Sequence, residues 1–195
     1  MPLDNKQQSL SIVGSSRRNG GRAENDFYPT PPEATQALLD REKFEGMIWE
    51  PACGNGALSK VLSDNGYDVF SSDLIDRGFG FTPSDFLKEE RIAPNIVTNP
   101  PFNLALEFVE HAKRRSEKKI AFFLKTAFLE GAKRQKMFID DRFPLKKVYQ
   151  FSRRVNLYKG SETRDKSKIS SGMIAFAWFV WDKEHKGPAT INWII

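Results

Sequence analysis

Two consecutive prolines, Pro100 and Pro101, separate an apolar strand pattern from a helical pattern, and they restrict the fold more than any other residues. Proline has a fixed φ and no N–H to donate, and it forces the residue before it, Asn99, towards an extended backbone. The sequence therefore predicts a stiff turn at a strand end. The Asn99 amide, two prolyl carbonyls and the Phe102 ring would face one space there.

Such a turn would suit the orientation of a planar amino group. The amide oxygen of Asn99 and a backbone carbonyl are both acceptors, and side by side they would take both hydrogens of an –NH2 group. This arrangement draws the nitrogen lone pair out of conjugation and prepares it to attack an electrophilic carbon, while Phe102 would stack on the flat group. The alternative is a Pro-Pro loop that only ends a strand.

Strand and helix patterns alternate along most of the chain, which is typical of a doubly wound α/β domain. The last two strand patterns have no clear helix between them, so we expect them to pair antiparallel. We predict a mostly parallel sheet with an antiparallel last strand, in a single domain over residues 26–195. The apolar strand patterns are 47–50, 66–73, 95–98, 119–125, 145–151 and 173–181, with a further strand-end loop at 82–87.

Composition narrows the classes of protein. The chain has 195 residues, 39% of them hydrophobic and 28% charged, as in ordinary soluble domains. No apolar run approaches the roughly 20 residues of a membrane span, so we expect no membrane partner. The single cysteine, Cys53, excludes an intramolecular disulfide and suits a reducing cytosol. His111 and His185 lie far apart, so we predict no metal site.

Positive charge is unevenly distributed around a net charge of +5. Residues 1–25 are polar and are predicted to form a flexible basic arm. Residues 141–170 contain nine basic and three acidic side chains, with aromatic residues among them. This segment is either a nucleic-acid contact or a solvated loop. The residues assigned to nucleic-acid binding are Arg153, Arg154, Tyr158, Lys159, Arg164, Lys166 and Lys168.

A glycine turn joins the strand pattern 47–50 to the helix that follows it, and this is how a nucleotide-binding βα unit begins. Gly54 and Gly56 would let the backbone approach a ligand closely. A lone G-x-G is a weak signal. The acidic Glu50 at the strand end indicates a ligand with an ammonium group and argues against a pyrophosphate at that point.

Two further carboxylates follow in order along the predicted sheet. Asp73 comes 17 residues after Gly56 (73 − 56), near the roughly 20-residue spacing at which such sheets place an acid on a ribose diol. Asp85 would accept from an adenine amino group, and Phe86 would pack on its ring. Considered alone, Asp73 or Asp85 would be interpreted as a turn residue or a helix cap. Considered together, in order along one sheet, they predict a nucleoside pocket.

The segment before the first helix is aromatic and rich in proline. Thr30 and Glu33 have the spacing of a capping box, with Pro31 at the first helical position. Such a segment is either a lid or one wall of a ligand site.

Taken together, these motifs resemble those of the amino-group DNA methyltransferases that use S-adenosylmethionine (SAM) and modify adenine N6, with the gamma order of motifs. The chain is most similar to the compact versions from phages and prophages. The resemblance covers most of residues 26–182 and rests on five motifs in order. These are Thr30-Pro31-Pro32, Glu50-Pro51-Ala52-Cys53-Gly54-Asn55-Gly56, Asp73, Asp85-Phe86 and Asn99-Pro100-Pro101-Phe102.

The resemblance implies a seven-stranded class I methyltransferase fold (Rossmann-like) with SAM bound over the strand carboxyl ends. It implies catalysis by Asn99, Pro100, Pro101 and Phe102 on a flipped-out adenine, because a paired base hides its amine. It places Glu50 near the methionine moiety and Thr30 near its carboxylate. The cofactor contacts that it implies are Tyr28, Thr30, Pro31, Glu50, Pro51, Ala52, Cys53, Gly54, Gly56, Asp73, Leu74, Asp85, Phe86 and Asn99.

DNA is the expected partner, with RNA second, in the cytoplasm of a bacterium or a phage-infected host. Larger members of the family carry a separate target-recognition domain, which we do not expect here. Specificity would then come from the basic segment, a partner protein or a dimer, or it would be relaxed. The alternatives are methylation of an exocyclic amine in RNA, or a non-catalytic module that binds SAM or nucleic acid.

Overall fold

Seven strands and four α-helices lie along the described part of the chain, which in this computed structural model comprises residues 27–140, 142–155, 157 and 174–195. The strands are β1 (Ile48–Glu50), β2 (Val69–Ser71), β3 (Ala93–Thr98), β4 (Ser116–Lys125), β5 (Leu145–Phe151), β6 (Phe176–Asp182) and β7 (Thr190–Ile194). The helices are α1 (Pro32–Leu39), α2 (Ala57–Asp64), α3 (Ala105–Arg115) and α4 (Ala132–Phe138). Short 3-10 helices occupy Phe86–Lys88, Phe102–Leu104 and Thr126–Leu129.

The strands form one sheet in the order β2-β1-β3-β4-β6-β5-β7. β2, β1, β3 and β4 are parallel, and β6 is antiparallel to both β4 and β5. The predicted mostly parallel α/β sheet is confirmed, and so is the antiparallel pairing of the last two predicted strands. A further strand, β7, was not predicted from the sequence. It pairs parallel with β5, so the antiparallel strand, β6, is the penultimate one along the chain.

Helices cover both faces of the sheet. Successive residues of β4, Phe122 and Phe123, point to opposite faces, and both are fully buried. Phe122 belongs to the core under α3 and α4, whereas Phe123 belongs to the core under α1 and α2. A strand that is buried on both sides must be apolar throughout, which explains the dense apolar run of β4.

Two local predictions differ from the structure. The capping box is wrong: α1 begins at Pro32, its N-cap is Pro31, and no side chain caps it. Pro31 cannot be the first helical residue because it precedes a proline, which disfavours the helical region for Pro31 itself. The strand expected before the loop at 82–87 is reduced to one isolated bridge between Ser72 and Phe81.

A cluster of ion pairs joins the elements at the amino ends of β4 and β5. Lys119 and Lys146 each lie within 3.6 Å of both Glu42 and Asp182. The Tyr149 hydroxyl donates to Glu42 at 2.7 Å. Lys146 is one of the nine basic residues of the segment 141–170, which was considered as a nucleic-acid contact. Because it forms ion pairs in this partly buried cluster, it does not contribute to such a contact.

Among the described residues, no helix combines the length and apolar character of a membrane span. The same part of the chain contains no group of three or more side chains that could hold a metal ion.

Candidate functional site

The carboxyl ends of three neighbouring parallel strands meet at one edge of the sheet. Glu50 is the last residue of β1, Asp73 follows β2 by two residues, and Asn99 follows β3 directly. All three line one cavity of about 380 Å³. Ligands of open α/β sheets bind outside the carboxyl ends of the strands, so this edge is the candidate site.

The glycine turn after β1 is held by Asp73. One carboxylate oxygen of Asp73 accepts from the backbone N–H of Gly54, and the other accepts from that of Ile75, both at 2.8 Å. The Arg77 guanidinium lies 3.5 Å from the same carboxylate and over the Phe27 ring, 4.3 Å from its centroid. Asp73 therefore joins the ends of β1 and β2, and Arg77 links them to the segment before α1.

Glu50 is an acid in an enclosed position, with 2% of its surface exposed. The Ser59 hydroxyl of α2 donates a hydrogen bond to it. Burial raises the pKa of the Glu50 carboxyl to about 8, because it removes the water that would stabilise the charged form, and the Ser59 hydrogen bond offsets only part of this. A cationic group in the cavity would reverse the balance.

Asn99 has one half of its amide engaged and the other half free. Its Nδ2 donates to the backbone carbonyl of Tyr28 at 2.9 Å. Its Oδ1 is buried and has no hydrogen-bond partner among the described residues. A buried acceptor without a partner is uncommon in folded proteins, and in a cavity wall it indicates a place for a donor from a ligand.

Phe102 begins the 3-10 helix after the prolines and lies outside the cavity wall. Its ring stacks on Tyr28, with 6.0 Å between centroids and 28° between planes, and lies 5.6 Å from the Phe176 ring. The Lys125 ammonium lies 4.7 Å from its centroid. The side chains of Tyr28, Phe176 and Lys125 therefore all lie against this ring.

The cavity brings together most, but not all, of the residues predicted for the site. The predicted residues in its wall are Tyr28, Thr30, Glu50, Pro51, Ala52, Cys53, Asp73, Leu74, Asp85, Phe86, Asn99 and Pro101. Pro31, Gly54, Gly56, Pro100 and Phe102 are not part of the wall. A Cβ on Gly54 would overlap the Phe27 ring, and one on Gly56 would lie 2.6 Å from the Phe79 ring, so both glycines admit aromatic neighbours.

Phe27, Arg77 and Asn103 also line the cavity and were not predicted. Nothing in the residue pattern separates Arg77 from an ordinary surface arginine. Phe27 was noted only as part of the aromatic segment.

Similar solved structures share this topology. A proposed RNA methyltransferase from Pyrococcus horikoshii superposes with a TM-score of 0.59 at 14% identity, over 77% of this chain and 81% of that one. A proposed class I SAM-dependent methyltransferase from Listeria monocytogenes gives 0.55 at 15%, over 83% and 62%. The modification subunit of a proposed type I restriction enzyme from Vibrio vulnificus gives 0.58 at 14%, over 88% of this chain and 46% of that subunit.

The chain has the class I methyltransferase fold. In this fold, the cavity at the carboxyl ends of β1, β2 and β3 lies where α/β sheets hold their ligands. No protein-family model matches the sequence, and no curated protein is similar to it in sequence.

Asp85 lines the cavity and also stabilises the 3-10 helix that follows it. One of its oxygens accepts from the Leu87 backbone N–H at 3.2 Å and so caps the 3-10 helix, while the other lies 2.9 Å from the Lys88 ammonium. Cys53 is buried, and its burial near Glu50 and Asp73 raises its pKa to about 12. It is therefore a thiol at neutral pH and not a nucleophile.

Arg153 and Arg154 follow the carboxyl end of β5, at the same edge of the sheet as the cavity, and both are exposed. The other residues predicted to bind nucleic acid, Tyr158, Lys159, Arg164, Lys166 and Lys168, lie outside the described residues.

Proposed function

We propose that this chain transfers a methyl group from SAM to the N6 amine of a flipped-out adenine in DNA, in the cytoplasm of a bacterium or a phage-infected host. The observation that carries the proposal is the buried Oδ1 of Asn99, which has no hydrogen-bond partner among the described residues and belongs to a side chain in the same cavity wall as Glu50 and Asp73. This oxygen is the acceptor that a target amine needs, and the two acids suit a cationic nucleoside cofactor.

The donor set of the cavity supports SAM as the cofactor. Glu50 forms no ion pair with a described residue, so the ammonium of a methionine moiety would complement it. Asp73 would accept from the ribose hydroxyls, and Thr30 would donate to the carboxylate. Leu74, Asp85 and Phe86 would hold the adenine ring. When bound, SAM supplies the electrophilic methyl group.

The proposed chemical role of Asn99 is to orient and not to act as a base. Its Oδ1 and the Pro100 carbonyl would each accept one hydrogen of the target amine, which aims the nitrogen lone pair into the cavity. An amide cannot take up the proton that is later lost. Asn99 would therefore stabilise the positive charge that develops on the amine, and Phe102 would stack on the base.

The assignment to DNA rests on the order of the motifs and on the two exposed arginines after β5, Arg153 and Arg154. An exocyclic amine in RNA is the second candidate, because one of the similar structures is described as an RNA methyltransferase. A competition assay with equal masses of unmodified duplex DNA and structured RNA separates the two. We expect the label from SAM to appear in the DNA.

The decisive experiment uses the full chain with labelled SAM and unmodified DNA, followed by digestion to nucleosides. We expect label in N6-methylated adenine. Asn99→Ala should lose turnover and keep SAM binding, whereas Asn192→Ala, on the exposed face of β7, should behave as wild type. Absence of label in adenine across DNAs of varied sequence contradicts the proposal. SAM binding without turnover in wild type would indicate a non-catalytic module.

A further inference from the structure

Tyr28 contacts both of the residues proposed to handle the target base. Its backbone carbonyl accepts from Asn99 Nδ2 at 2.9 Å, across 71 positions of sequence. Its ring stacks on Phe102 at 6.0 Å. The resemblance implied only a cofactor contact for this residue, so its position beside the catalytic turn is new.

The Tyr28 carbonyl decides which end of the Asn99 amide faces the cavity. An asparagine side chain ends in one acceptor and one double donor, and the two differ little in shape. A carbonyl accepts and cannot donate, so it retains the Nδ2 end of the amide, and Oδ1 is the end left without a hydrogen-bond partner among the described residues. The reversed amide would present N–H groups to the target amine, with donors facing donors.

Both partners of this hydrogen bond lie on restricted backbone. Tyr28 precedes Pro29 and Asn99 precedes Pro100, and a residue before proline is confined to extended conformations. The carbonyl and the amide are thus held in place from two sides, which reduces the freedom that would be lost when a base binds.

We propose that Tyr28 is a positioning residue: its carbonyl locks the Asn99 amide with Oδ1 towards the cavity, and its ring supports Phe102. This inference rests on the proposed function for its consequence in turnover. The hydrogen bond itself can be tested without a substrate.

The first test changes the donor. In Asn99→Asp an ionised carboxylate cannot donate to the Tyr28 carbonyl and is repelled by it, whereas a protonated carboxyl donates through its O–H and keeps its C=O towards the cavity. At saturating SAM we expect kcat to fall about 100-fold at pH 8 and then to rise as the pH is lowered, about tenfold per unit above the pKa of the introduced carboxyl. A kcat that does not rise at lower pH overturns the proposal.

The second test needs no turnover. The side-chain amide protons of Asn99, identified by their loss in Asn99→Asp, should exchange with solvent at least about 100-fold more slowly than those of the exposed Asn192. Pro29→Gly should remove most of this protection, because it frees the Tyr28 backbone, and Tyr28→Phe should keep it, because it retains the carbonyl.

The outcomes separate the two proposals. If wild type methylates no nucleic acid but Asn99 is protected, the proposed function fails and the amide lock stands. If wild type methylates adenine but Asn99 exchanges as fast as Asn192, the amide lock fails and the proposed function stands.

Discussion

The Ser59 hydroxyl donates a hydrogen bond to the Glu50 carboxyl where both side chains are enclosed, with 1% and 2% of their surfaces exposed. The hydroxyl and the backbone N–H of Ser59 together do not replace the water that would surround an ionised carboxylate. Burial therefore raises the pKa of Glu50 to about 8, so most of this carboxyl is protonated at neutral pH. A ligand ammonium in the cavity would favour the ionised form.

The affinity for SAM should therefore depend on pH through Glu50. Because the ammonium pairs with the ionised carboxylate, deprotonation has a free-energy cost below pH 8, and we expect the affinity to rise by up to about tenfold per pH unit between about pH 6 and pH 8. Titration calorimetry across this range measures it. Glu50→Gln should bind weakly at every pH, whereas Glu45→Gln, an exposed acid on another loop, should keep the wild-type profile.

Glu50 should also lower stability as the pH rises. Its folded pKa is about 8, above the ordinary value of 4.5, so between these values the folded state holds a proton that the unfolded state has lost. Unfolding then releases a proton, and the free energy of unfolding falls by about 1.4 kcal/mol per pH unit from this group. Urea denaturation of Glu50→Gln should show a gain in the free energy of unfolding over wild type that grows from about pH 5 to about pH 8. A gain that does not change with pH would contradict the protonated state.

Alanine substitutions at two glycines with positive φ distinguish the cost of backbone strain from the cost of steric crowding. Gly54 has φ +56° and Gly66 has φ +85°, but a Cβ on Gly66 meets nothing within 4 Å, whereas one on Gly54 overlaps Phe27. We expect Gly66→Ala to lower the free energy of unfolding by about 1 kcal/mol and Gly54→Ala by about 1–3 kcal/mol more. Only Gly54→Ala should weaken SAM binding. Equal losses in both variants would show that the Phe27 contact is unimportant.

The contribution of a basic side chain to nucleic-acid binding should depend on the edge of the sheet at which that side chain lies. Arg153 follows β5 at the cavity edge, and Lys183 follows β6 at the opposite edge, and both side chains are exposed. We expect Arg153→Ala to weaken binding to a fixed duplex and to reduce the slope of log K against log salt by about 0.9, the value for one phosphate contact. Fluorescence anisotropy at several salt concentrations measures this. Lys183→Ala should leave the slope unchanged, and an equal change would indicate a general charge effect.

The main features of the fold could be predicted because they depend on short stretches of sequence. The apolar runs of β4 and β6 are those of strands buried on both faces, and neighbouring parallel strands bring their carboxyl ends to one edge. Once the strand patterns were placed, Glu50, Asp73 and Asn99 were expected at that edge, and they do line one cavity.

The remaining features depend on contacts between distant residues. The hydrogen bond from Asn99 to Tyr28 spans 71 positions, and neither residue type indicates the other. The sequence alone does not distinguish Lys146 from a solvent-exposed lysine, because its ion-pair partners, Glu42 and Asp182, are distant in sequence. β7 escaped prediction because most of its residues are exposed, including Ile191 and Trp193, so its pattern does not show a buried face.

The ion pairs among Glu42, Lys119, Lys146 and Asp182 fasten the sheet at the edge away from the cavity. The loops that follow β1, β2 and β3 at the cavity take no part in these ion pairs. Mutations in those loops would leave these ion pairs in place, so descendants of this chain have an evolutionary route to new substrates in which the ion-paired edge of the sheet is unchanged.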